Sequence, residues 1–419
     1  MKQLVLFLFL LFPVAAHATN GYWAHGYGTK SKAMAGSGMA LPLDAMDAAA
    51  NPATMVYLDN RLDMGVSFFM PDRGFTAGRY TGGNPNALVS GERTSGNDLF
   101  VIPHFAANRV LNPQTAIGIS IGANGGMNTE YDEAIFSCFN SPGNETSSPT
   151  GIDFKQLFVG LSYSRKISAR HSFGITPILA AQSLKVTGLE AFRPLSHDPE
   201  HVTNQGYDYS WGGGLKIGWL GRLSDRLSVG LSGQTRLWMT PFEDYQGLFA
   251  EEGDFDIPPN LTAGLAWSVT PALTLAVDVQ HIFFEEIKAV GNSCAIPLQP
   301  DSILLGTDDG IGFGWKNLTV VKLGAQWQWQ PDITLRAGYS RSNQVIPEDQ
   351  ALFNTLAPAV LREHYTCGLT KKMKNREINL SLMYAPREKI NGYNQNTWPQ
   401  PLSLTMEQLE IEISFSFLF

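Results

Sequence analysis

Long apolar runs are missing from this 419-residue chain once its first eighteen residues are set aside. No later stretch of about 18 apolar residues exists, which excludes a helical membrane protein. A basic excess is missing as well. Of 30 Lys and Arg, Lys2 belongs to the leader, so 29 face 38 Asp and Glu, and the net charge of −9 argues against nucleic acid as a partner. Cysteine is limited to Cys138, Cys294 and Cys367, so at most one disulfide can form within the chain.

Complete catalytic and cofactor motifs are absent too. His197-Asp198-Pro199-Glu200-His201 has metal-ligand residue types, but its central proline opposes a helix that would bring both histidines to one face. Gly36-Ser37-Gly38 lacks the flanks of a nucleophile elbow, and Gly28-Thr29-Lys30-Ser31 lacks the earlier glycine of a phosphate loop. The chain therefore reads as a non-enzyme with no cofactor, no metal and no catalytic residue. A barrel lipase stays open, because its serine and histidine need not be neighbours in sequence.

What is present starts at the carboxy terminus. Leu409, Ile411, Ile413, Phe415, Phe417 and Phe419 alternate with Glu410, Glu412, Ser414 and Ser416, so one face is apolar and the other polar. That pattern fits a strand between lipid and a wet barrel interior. The terminal Phe419 resembles the insertion signal of bacterial outer-membrane barrels, which makes the barrel-assembly machinery an expected partner in biogenesis. At the other end, Lys2, the run Leu4 to Phe12 and Ala16-His17-Ala18 read as an export signal over residues 1–18.

Fourteen alternating or aromatic-rich segments follow, the first near Leu62 and the last near Leu409. Each approaches the roughly 9–11 residues that a tilted strand needs to cross hydrocarbon. The connections alternate between short ones, such as Thr270-Pro271-Ala272 and Pro331-Asp332, and long ones near residues 72–97, 128–153, 187–206, 239–257, 286–313, 341–363 and 386–408. A secreted sandwich or propeller has no reason for that asymmetry, whereas outer-membrane barrels have short turns on one side and long extracellular loops on the other. The fold class is therefore all-β, a 14-stranded antiparallel transmembrane barrel over residues 61–419. By alternation Leu275, Val277, Leu323 and Trp327 face lipid, while Asp278, Lys322, Arg336, Lys216 and Arg236 face the interior.

Residues 19–60 do not alternate and are rich in Gly, Ala and Met. Asp44 is placed to cap a short helix over Ala45 to Ala50, which Asn51 ends and Pro52 prevents from continuing. A small plug inside the lumen is the economical placement for this segment.

Taken in order, these motifs resemble the FadL family of long-chain fatty acid transporters, which also includes channels for aromatic hydrocarbons. The resemblance rests on Asn51-Pro52-Ala53 closing the Gly/Ala-rich segment, the third strand running through Asn124-Gly125-Gly126 to Tyr131, and the strand around Lys322-Leu323-Gly324-Ala325. Leu335-Arg336-Ala337-Gly338-Tyr339, the stretch His364 to Leu369 and terminal Phe419 complete it. It implies passive uptake of a hydrophobic molecule across the bacterial outer membrane by a monomeric protein lying among lipid and lipopolysaccharide. Ligand would be caught among the loops, move to a site against the plug, and leave sideways where the third strand kinks, which here maps to Asn124, Gly125 and Gly126. A loop start is the competing reading of the two glycines.

Candidate ligand contacts follow. Leu189, Phe192, Leu195, Phe242, Tyr245, Leu248 and Phe249 lie in two long loops and are placed to line a capture groove, or to pack only on one another. Lys216, Arg236, Lys322 and Arg336 are candidates to meet a fatty-acid carboxylate, with Asp278, Glu410 and Glu412 as competing partners. Cys138 and Cys294 fall in loops where a bridge could tie two of them together. A nonspecific porin, and an adhesin or phage receptor, are the functional alternatives.

Overall fold

The computed structural model describes residues 20–79, 87–294, 304–395 and 400–419; the proposed export signal lies outside them. Fourteen strands form the wall: β1 (Arg61–Ala77), β2 (Phe100–Asn112), β3 (Thr115–Tyr131), β4 (Thr150–Lys166), β5 (His171–Thr187), β6 (Asp208–Arg222), β7 (Leu227–Gln234), β8 (Asn260–Ser268), β9 (Leu273–Ile282), β10 (Leu318–Gln330), β11 (Ile333–Ser342), β12 (Glu363–Met373), β13 (Arg376–Asn394) and β14 (Gln400–Leu418). Each pairs antiparallel with its sequence neighbours, and β14 closes on β1 from Arg61 opposite Leu418 to Ala77 opposite Leu402. Closure satisfies every edge that hydrocarbon could not. Two short pieces, Gly91–Thr94 beside β1 and Trp238–Met239 beside β6, extend the sheet above the wall.

Alternation decides which side chains meet lipid. On β9 and β10, Leu275, Val277, Val279, Val321, Leu323 and Trp327 are exposed on the outer face, while Asp278, Gln280 and Lys322 are buried inside. In β14 Ile411 and Phe415 are exposed outward, and Glu410, Glu412, Ser414 and Ser416 are buried inward. Strands run as long as 19 residues, well beyond the hydrocarbon requirement. The last hairpin corrects the sequence reading. Residues 386–408 are not a long loop, because β13 continues to Asn394 and β14 begins at Gln400. Their outer face carries Arg387, which pairs with Asp72 and Glu407, so it meets water and loses the lipid pattern. Their inner face, with Leu402, Leu404 and Met406, is buried in the loop core.

Residues 20–58 fill the lumen. Backbone or side-chain bonds join them to inward groups of β1 (Ala45 N to Asp63, 2.8 Å), β5 (Ser172 Oγ to Ala53 O, 2.7 Å), β9 (Gly38 N and Met39 N to Asp278, 2.8 Å each) and β12 (Ala35 N to Thr366, 2.8 Å). Strands on all sides of the barrel thus hold one inner segment. It contains a helical turn, α1 (Thr29–Lys32), and two 3₁₀ turns, Ala45–Ala49 and Pro52–Tyr57. The first 3₁₀ turn starts at a reciprocal cap, with Asp44 accepting from Met46 N at 3.0 Å and Asp47 accepting from Asp44 N at 3.1 Å. Asn51 caps the second through Ala53 N at 3.1 Å, and its amide also donates to Met39 O and Trp219 O.

Candidate functional site

The third strand is where wall and inner segment meet. β3 pairs with β2 only as far as His104 opposite Gly122, although β2 itself continues to Phe100. On its other side, the register against β4 slips by one residue between Ala123 and Gly125, leaving Asn124 as the extra residue of a bulge. Beyond that point the inner segment takes the place of β2: Ala24 N donates to Asn124 O at 2.7 Å and Gly126 N to Tyr22 O at 3.1 Å. A Cβ at Gly125 would run into the Tyr22 carbonyl, so this close approach requires glycine there. Asn124 is fully buried; its Oδ1 accepts from Tyr27 at 2.5 Å and its Nδ2 donates to Gln156 at 2.9 Å.

The result is a gap in the wall between Phe100–Pro103 of β2 and the upper half of β3. Gly96 N donating to Glu130 O at 2.8 Å closes it above. An open recess occupies the outer side, lined by Leu99, Val101, Thr129 and Glu130 and by the polar group Asp153, Lys155 and Tyr207. On the inner side lies a narrow apolar cleft of about 20 Å³ lined by Phe69, Met127, Trp315, Ala357, Ala359 and Met406. Asn128 borders both spaces.

Above the inner cleft is a second crevice, of about 40 Å³, between loops. Ile152, Val186, Leu189, Leu248, Phe249, Phe313, Phe353 and Leu356 line most of it. The two share the segment from Phe353 to Ala359 as a wall. Thr129 and Tyr131 of β3 hold that segment by donating to Leu356 O and Thr355 O at 2.8 and 2.7 Å. Both volumes are far below the roughly 300–1,000 Å³ of formed small-molecule sites. Both are narrow, and their linings must part to admit a chain molecule.

The loop residues named from sequence divide into two groups. Leu189, Leu248 and Phe249 reach the crevice, whereas Phe192, Phe242 and Tyr245 are sealed within the loop core and Leu195 packs against it half-buried. Phe192 meets Phe136 edge-to-face and Phe353 at a tilt, with ring centroids 5.0 and 5.2 Å apart. Apolar groups from separate loops cover one another instead of leaving a patch to water, so packing on one another describes Phe192, Phe242 and Tyr245, while Leu189, Leu248 and Phe249 line a narrow crevice.

The four basic candidates also separate. Arg236 lies beyond the end of β7, ion-paired with Asp256 and hydrogen-bonded to Asp254 at 3.2 Å, so it is a loop staple and not a lumen cation. Lys216 and Lys322 point into the lumen beside a polar cavity with Tyr27, Asn260 and Gln280; they donate to Ala49 O and, at 2.9 Å, His25 O. Arg336 is buried with bonds to Gln326 and Thr370 at 2.8 and 2.6 Å. Glu410 and Glu412 are committed to Lys32 at 2.5 and 2.6 Å, and Glu377 to Lys30 at 2.6 Å and Arg61 at 3.2 Å. The attraction of Glu410 and Glu412 outweighs burial and raises the Lys32 ammonium pKa, whereas burial lowers that of Lys30. Cys138 is exposed, Cys294 is buried, and both are free thiols; the expected bridge is not formed. At His197 to His201 the geometry is a His201 to Asp198 contact of 2.8 Å, and no cluster of three metal-ligating side chains occurs among the described residues.

Sequence reading missed Arg73 of β1, which is buried and lines the inner cleft. The signal was available. Alternation from Arg61 and Asp63 through Ser67 and Phe69 carries Arg73 to the inner face.

The family model for outer membrane transport proteins of the OMPP1/FadL/TodX type matches residues 13–400. The chain belongs to that family. Among solved structures it is similar to the toluene transporter TodX of Pseudomonas putida, at 18% identity and a TM-score of 0.69, over 94% of this chain and 99% of that one. A FadL homologue of Pseudomonas aeruginosa gives 15% identity and a TM-score of 0.69 over 95% and 100% of the two chains. The toluene transporter TbuX of Ralstonia pickettii gives 18% and 0.64 over 94% and 99%. No curated protein matches. Membership makes the chain a transport channel of the outer membrane for hydrophobic compounds, and not an enzyme.

Proposed function

We propose that the protein carries long-chain fatty acids passively into the outer membrane, with the inner segment acting as a plug. The observation that carries this reading is the succession of apolar spaces: a loop crevice, an inner cleft behind the shared segment Phe353 to Ala359, and a gap in the wall beside β3. An acyl chain passing along it stays out of water throughout, since transfer of apolar surface into such linings is favourable by about 25 cal/mol per Å². In this reading the ligand enters among the loops, displaces residues 22–24 from β3 at the cleft, and leaves sideways at Asn124 to Gly126 into lipid, without crossing the polar layer of lipopolysaccharide. Asn51, Pro52 and Ala53 anchor the far end of the plug against β5 and β6. No energy coupling is required.

An uncharged hydrocarbon is the second reading. It is supported by the likeness to the two toluene transporters and by the apolar lining of both spaces. Uptake by outer-membrane-competent cells that lack their own fatty-acid transporter separates the two. Production of this protein is expected to give saturable oleate uptake and no increase for a small sugar. Toluene entering without oleate would replace the first reading by the second, and sugar permeation would support a porin.

A further inference from the structure

Arg73 is 4% exposed, and among the described residues no carboxylate lies within ion-pair distance of it. Three of its five N–H groups are used: Nε donates to Asn128 O, Nη2 to Asn128 Oδ1 at 2.8 Å, and Nη1 to Pro71 O at 3.3 Å. Its guanidinium also lies 5.4 Å from the centre of the Phe100 ring. A buried cation satisfied only by neutral acceptors is poorly compensated, because its charge is left unneutralised, whereas a carboxylate would balance it and accept two parallel N–H bonds.

Position makes this side chain informative. Arg73 lines the apolar cleft together with Phe69, Met127, Trp315 and Met406, and the residue it grips, Asn128, stands between that cleft and the outer recess. β1 and β3 are second neighbours in the sheet, joined here across the place where β2 no longer pairs with β3. Lys216 and Lys322 differ in that they border a polar cavity beyond Trp23.

Resting on the fatty-acid reading above, we propose that Arg73 is the carboxylate-recognition residue of the inner cleft, and that its grip on Asn128 is a latch which the carboxylate itself releases. An arriving fatty acid places its chain along Phe69, Met127 and Trp315 and its two oxygens on the guanidinium. Asn128 then loses its partner, and the segment of β3 flanking the gap is freed. An uncharged hydrocarbon has nothing to exchange for Asn128 and leaves the latch shut. Specificity and gating thus reside in one side chain.

The test is equilibrium binding of oleate and of oleyl alcohol to the full-length protein in detergent, with wild type, Arg73→Gln and Arg73→Lys. Wild type is expected to prefer oleate by about 10-fold to 100-fold, the span of a hydrogen-bonded charge pair. Arg73→Gln loses that preference but still binds oleyl alcohol, and Arg73→Lys keeps part of it. Equal oleate affinity in wild type and Arg73→Gln overturns the assignment while leaving fatty-acid transport intact. Failure of both ligands to saturate wild type overturns the transport reading instead. Should Arg73→Gln not fold, hydrogen exchange on wild type decides: oleate, and not oleyl alcohol, must speed exchange in residues 122–130, and equal or absent effects refute the latch.

Discussion

Lys32→Met tests how the inner segment is held. Lys32 Nζ lies 2.5 Å from Glu410 and 2.6 Å from Glu412, with all three side chains less than one-tenth exposed. Removing one partner of such a pair costs about 3–5 kcal/mol, because it leaves uncompensated charge in a poorly solvated place. Here one cation serves two carboxylates, so the loss falls at the upper part of that range unless a proton replaces it. His25, 3.5 Å from Glu410, is placed to supply one. Burial lowers the pKa of His25 first, and Lys32 lowers it further while Glu410 raises it. Deleting Lys32 removes a lowering influence and leaves the raising one. A proton gained in the folded state stabilises at low pH and is lost as pH rises through the folded pKa. Hydrogen exchange of residues 20–58 should therefore show little change between pH 5.5 and 8 in wild type. In Lys32→Met the same residues should open about a thousandfold more often at pH 8, for roughly 4 kcal/mol, and recover at pH 5.5. Exchange within about threefold of wild type at both pH values would refute the claim that this pair docks the segment.

Three further outcomes follow from the geometry. Gly125→Val should push Tyr22 and Ala24 off β3, seen as lost protection of the Ala24 and Gly126 amides with the barrel still folded. In the loop after β7, burial and then neighbouring Asp256 push the Asp254 carboxyl up to about 7. The folded loop thus holds a proton that the unfolded chain releases near pH 4, so protection of residues 239–257 should fall as pH rises from about 4 to 7, and Asp254→Asn should abolish that slope. A water-soluble maleimide should label Cys138 and spare Cys294, whose thiol burial pushes up to about 12; a non-reducing gel shift would contradict the free thiols.

Strand identity was legible wherever each face met a different solvent. The fourteen segments, their closure by an even count, and the inward course of Lys322 and Glu412 all follow from a period of two against lipid. That signal failed at residues 386–408, where β13 and β14 rise into water and the outer face turns charged. Nor could it choose between groove lining and mutual packing for the loop aromatics: Phe192 and Tyr245 are covered only once Phe136, Phe353 and the chain around Val186 are brought over them from distant loops.

By itself the sequence determined a closed barrel of fourteen strands, and a segment ahead of it that does not alternate, because each of these is a local periodicity or its interruption. Only the tertiary structure decided which inward charges are already paired. Lys32 meets Glu410 and Glu412 across 378 and 380 positions of chain, and Arg73 meets Asn128 across 55. Alternation says which face a side chain takes, but the partner it finds there depends on which strands the closed sheet and the segment inside it bring to the same height.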